Sequence, residues 1–61
     1  MMKLKDFIKL IDIENLKIFL NSFFIFICRS DSPVLDFYKE NEIEEIGVDY
    51  KDNSIKIFLK K

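Results

Sequence analysis

Two apolar runs with a period of two, set two residues apart, constrain this chain more than any other feature. Leu16, Ile18 and Leu20 alternate with Lys17, Phe19 and Asn21, and Phe23-Phe24-Ile25-Phe26-Ile27-Cys28 follows directly after Asn21-Ser22. Period two belongs to strands, and β-branched and aromatic side chains favour them. Asn-Ser between two such runs reads as a two-residue hairpin turn, weaker than Asn-Gly. With the loop there, Leu20 pairs with Phe23, Ile18 with Ile25 and Leu16 with Ile27. These six share one face of the hairpin, and Phe19, Phe24, Phe26 and Cys28 share the other.

The same reading extends along the chain. Leu4, Phe7, Ile8 and Ile11 stand at i, i+3, i+4 and i+7, which predicts an amphipathic helix over 3–12 with no good N-cap. Ser32 is a natural N-cap and Pro33 suits the first helical position, so a second helix is expected over 33–40. Ile46, Val48 and Tyr50 alternate with Glu45, Gly47 and Asp49, predicting a third strand. Asp52-Asn53 reads as a primed turn, and Ile55 to Lys60 as the last strand. The order is α-β-β-α-β-β. It predicts a single α+β domain over 1–61, a four-stranded, largely antiparallel sheet with the helices on one face. Leu16-Lys17-Ile18-Phe19-Leu20 and Ile55-Lys56-Ile57-Phe58-Leu59 are nearly the same phrase. It is either the trace of a duplication or, more simply, a recurrent strand phrase.

Sorting side chains by face exposes a surplus. The first face collects twelve apolar residues: Leu16, Ile18, Leu20, Phe23, Ile25, Ile27, Ile46, Val48, Tyr50, Ile55, Ile57 and Leu59. Two helices can cover them. The second face of such a sheet is ordinarily polar, yet Phe19, Phe24, Phe26 and Phe58 fall on it. A patch of four Phe marks an interaction surface. Self-association into a homodimer or higher oligomer is the leading explanation, because it also relieves the small core of a 61-residue chain. Docking of a different protein and a helix crossing to that face are the alternatives.

Composition removes whole classes of chemistry. With no His, one Gly and one Cys, the chain can build neither a His-dependent nucleophile pair, nor a glycine-rich phosphate loop, nor a Cys/His zinc site. No cofactor is expected, and the chain does not read as an enzyme. Glu42, Glu44 and Glu45 could in principle hold a hard cation, but acidic pairs in a solvated segment are usually surface. Ten basic residues against eleven acidic ones give a net charge of −1, which argues against direct nucleic-acid binding. The acids are clustered: Asp36, Glu40, Glu42, Glu44, Glu45 and Asp49 stand against Lys39 alone, a net −5 over fourteen residues. Such a segment either keeps an edge solvated or steers onto a basic partner surface. The opening Met1-Met2-Lys3-Leu4 reads as an initiation site, and Lys9, Asp12 and Glu14 break up any signal-peptide core. No apolar run approaches the ~20 residues of a spanning helix, so no membrane partner is expected.

Leu4-Lys5-Asp6-Phe7-Ile8-Lys9-Leu10-Ile11-Asp12 and Asp52-Asn53-Ser54-Ile55-Lys56-Ile57-Phe58-Leu59 resemble the opening helix and closing hairpin of many small proteins from phages and mobile elements of low-GC Gram-positive bacteria. The resemblance covers the layout of the chain and about seventeen residues of wording. Asn21-Ser22 stands where those proteins usually have a Gly-containing turn. No functional residue carries over. The resemblance implies an inhibitor of a host protein, such as a bacterial immune-system component, acting by direct binding in the cytoplasm of the bacterial host cell. A structural accessory whose role is homo-oligomerisation is the alternative. The expected contacts are the Phe face for self-association and the acidic segment for the host protein.

Overall fold

The computed structural model describes residues 2–61; Met1, part of the expected initiation site, lies outside them. Leu16–Leu20 (β1) and Phe23–Cys28 (β2) form the expected hairpin. Asn21 and Ser22 both take positive φ, 51° and 73°, the signature of a tight primed turn whose twist matches the strands. Glu42–Asp49 (β3) and Ser54–Lys60 (β4) form the second hairpin. Its loop is longer than the sequence suggests. Tyr50 leaves the strand and is exposed, and only Asn53 takes positive φ.

The fold class differs from expectation. The described residues form a four-stranded mixed sheet, open at both edges, and not an α+β domain with two helices over a largely antiparallel sheet. The order is β2-β1-β4-β3, with β1 and β4 parallel at the centre and an antiparallel strand on each side. The helix expected over 3–12 is only Leu4–Ile8 (α1), and the helix expected over 33–40 is a 3₁₀ turn, Pro33–Phe37. Both shortfalls have a physical cause. Lys3 offers α1 no side-chain cap, and a helix this short has little stability of its own. In the second segment, Leu35 is buried and Tyr38 packs against the core while Phe37 is exposed. That spacing of three suits 3₁₀ geometry, not the four-residue inner face of an α-helix. Ser32 caps the turn as anticipated, its Oγ accepting from the Val34 N–H at 3.4 Å.

Leu4, Leu16, Ile18, Leu35, Ile57, Leu59 and Ile43 form the core between the sheet and these two short segments. Phe7, Ile8 and Ile11 pack against it, so the apolar stripe of the first segment meets the core although its helix ends early. The N-terminal segment is tied to the approach of β3: Lys3 bridges Glu42, and the Ile43, Leu4 and Lys5 N–H groups bond to the Met2, Asn41 and Lys39 carbonyls.

Candidate functional site

The sheet face opposite the core carries the candidate site. In the parallel pair, Lys17 faces Lys56 and Phe19 faces Phe58. The repeated phrase is thus two neighbouring strands in register, and each side chain meets its counterpart. Phe19 and Phe58 stack with ring centroids 4.5 Å apart and planes 23° apart. Phe24, opposite Phe19 on β2, meets it edge-on at 5.4 Å. Gly47 on β3 adds no side chain, and the Phe58 ring approaches to within 4.0 Å of where its Cβ would be. Phe19 and Phe58 are therefore half-buried by one another and by their strand neighbours. Phe24 remains 54% exposed.

Phe26 is not part of this cluster. The β1–β2 register follows the expected pairs only at Leu20↔Phe23 and Phe19↔Phe24, then slips, so that Ile18 faces Phe26, Lys17 faces Ile27 and Leu16 faces Cys28. Ile25 is the extra residue of a bulge, which turns every later side chain to the opposite face. Phe26 and Cys28 move to the core side, where the Phe26 ring lies 5.6 Å from Tyr38. Ile27 takes the place expected for Phe26 on the open face and is 49% exposed. The exchange gives the larger side chain the burial. Burial also pushes the Cys28 thiol up, with a hydrogen bond to Ser32 as a smaller opposing influence.

A charged cluster borders the rings. Lys17 and Lys56, adjacent in the parallel ladder, share the Asp49 carboxylate at 3.7 and 3.8 Å, and Lys17 also bonds to Asp52. Like charges side by side destabilise a sheet, and Asp49 lies where it offsets both. The Asp52 partnership, reinforced by the Ser54 hydroxyl, holds the Asp52 carboxyl below its usual range and raises Lys17. Sequence reasoning missed this cluster, although the Lys of each repeated phrase pointed to it.

The expected acidic contact is dispersed. Asp49 belongs to the lysine cluster. Glu40 bonds to Lys3 at 3.0 Å and Lys5 at 2.8 Å, and those bonds, Lys5 first, pull its carboxyl down to about 2. Asp36 lines a concavity of about 540 Å³ together with Lys5, Lys9, Lys39, Asp12 and Asp31. Glu42, Glu44 and Glu45 stay together at the start of β3, where Glu44 is the extra residue of a second bulge. Among the described residues, no group of three or more His, Cys, Asp or Glu is placed to hold a metal ion, and no helix is long and apolar enough to cross a membrane.

Comparison with protein-family models, curated proteins and solved structures returns no match.

Proposed function

We propose that this chain is a non-enzymatic binding module that self-associates through the apolar surface around Phe24 and acts on a host protein by direct contact. One observation carries the reading. Phe24 and Ile27, each about half exposed, lie beside the Phe19–Phe58 stack on a face that neither short helical segment covers. An aromatic centre with a charged rim is the anatomy of a protein interface. The rim lysines already have carboxylate partners, which favours a protein surface over a polyanion. The host contact rests on the resemblance to small phage proteins and falls to Glu42, Glu44 and Glu45.

Light scattering after gel filtration tests the self-association. The wild type is expected to run as a dimer or larger, and Phe24→Glu as a folded species of lower mass. A wild-type monomer across the accessible concentration range overturns the reading. For the host contact, a protein captured from host lysate by the wild type is expected to be lost on Glu44→Lys/Glu45→Lys. A stable oligomer that captures nothing assigns the role to homo-oligomerisation itself.

A further inference from the structure

The two open edges of the sheet differ in kind. The start of β3 is occupied by Met2 and Lys3, and β3 carries Glu42, Glu44, Glu45 and Asp49. A second β3 laid beside it would set these acids against one another. The outer edge of β2 pairs with nothing among the described residues. Its six residues, Phe-Phe-Ile-Phe-Ile-Cys, include no charge, no Pro and no Gly. An edge of this composition is a template for another strand, and natural proteins usually protect it.

The bulge makes this edge complementary to itself. Phe24 and Ile27 lie on the open face. Phe23, across from Leu20, and Cys28, across from Leu16, lie on the core side, where Ile25 and Phe26 also pack. In one antiparallel register, Phe23 stands opposite the partner's Cys28, Phe24 opposite the partner's Ile27, and Ile25 opposite the partner's Phe26. Every opposed pair then shares a face, as a continuous sheet requires. The operator is a two-fold axis, so the contact closes at two copies. A β2-to-β3 contact would be head-to-tail and could continue without limit.

We infer that β2 pairs antiparallel with β2 of a second copy in this register, joining two sheets into one of eight strands. The inference rests on the self-association proposed above and names its geometry. On the open face, Phe24 and Ile27 of the two copies form one apolar band between the two Phe19–Phe58 stacks. The dimer removes the uncharged edge from solvent and leaves the acidic β3 edges outermost.

Phe23→Cys tests the register. Phe23 is 75% exposed, so the change spares the core. Within one chain the introduced thiol and Cys28 lie roughly 17 Å apart along the strand, too far to bridge. Across the dimer they are directly opposed, with Cα atoms about 4.5–5.5 Å apart, inside disulfide range. Under mild oxidation at about 10 μM protein, a covalent dimer is expected roughly 100-fold faster than for the wild type, because opposed thiols meet at an effective concentration on the order of mM. Amide exchange supplies the second measurement: β2 amides are expected to slow as concentration rises through the dimer midpoint. If the wild type and Phe23→Cys are both dimeric but no cross-link forms and β2 exchange does not depend on concentration, the edge register is overturned and self-association stands. A monomeric wild type overturns both.

Discussion

Ser22 sits at φ 73°, a left-handed conformation in which an L side chain other than Asn or Asp crowds the following carbonyl. Asn21 beside it tolerates the same region. Its N–H bonds to the Leu59 carbonyl, and its Oδ1 accepts from the Lys61 N–H. Ser22→Gly is therefore expected to raise stability by about 1 kcal/mol, read as a higher urea midpoint at unchanged slope. The Lys3–Glu40–Lys5 contact makes a pH prediction. Glu40 is held at about 2 in the folded chain, below the ordinary carboxylate value of 4.5. The folded state thus binds fewer protons than the unfolded one over that interval. The contribution is present above about pH 4.5 and is lost as pH falls toward 2. Urea midpoints measured across this window are expected to fall with acidification, less steeply for Glu40→Gln, and less steeply for the wild type at high salt, since the partners are exposed and screened. A profile identical in both proteins would show that the pair contributes nothing.

The bulge in β2 matters more at the scale of the element than any single contact. Without it, strict alternation turns Phe26 to solvent and Ile27 inward. With it, Phe26 lies against Tyr38 and Ile27 is exposed. The two Phe residues should respond oppositely to charge. Phe26→Glu is expected to abolish the cooperative melt, because it puts a carboxylate beside the core. Phe24→Glu keeps the fold and changes only the mass in solution. Equal melting temperatures for the two variants would contradict the placement of the bulge. In the central pair, Asp49→Asn is expected to lower the melting temperature by leaving Lys17 and Lys56 side by side without the carboxylate they share. Reversal of that loss by Lys56→Gln would identify the lysine repulsion as its cause.

For the whole molecule the margin is small. At about 0.05–0.15 kcal/mol per residue, a chain of this size is worth roughly 3–9 kcal/mol. Ile57 is fully buried at the centre of the sheet, and Ile57→Ala is expected to cost about 2–5 kcal/mol, enough to leave a large unfolded fraction measurable by circular dichroism. The central ladder joins Leu16 to Ile55 and Leu20 to Leu59, so most of the chain must be gathered before it closes. Loop closure of that kind is slow. Folding is expected in milliseconds to seconds, not microseconds.

Much of the local structure was legible in the chain: period two located both hairpins, the two-residue gap between apolar runs located the Asn21-Ser22 turn, and Ser32-Pro33 marked the start of the second helical segment. Each of those signals acts within a few residues. The apolar surplus on the second face was also legible, because Phe19, Phe24 and Phe58 keep their parity. Where Phe26 and Ile27 point was not. A bulge leaves no local mark in a run of six apolar residues, and only the burial of Phe26 rather than Ile27 on the side of Tyr38 settles it. The parallel alignment of β1 and β4 was hidden for a related reason: the repeated phrase suits several pairings, and the packing of Leu4, Leu35 and Ile43 over one sheet selects among them. Periodicity determined which segments could be strands; burial, shared among residues far apart in sequence, decided which strands met and which face each side chain took.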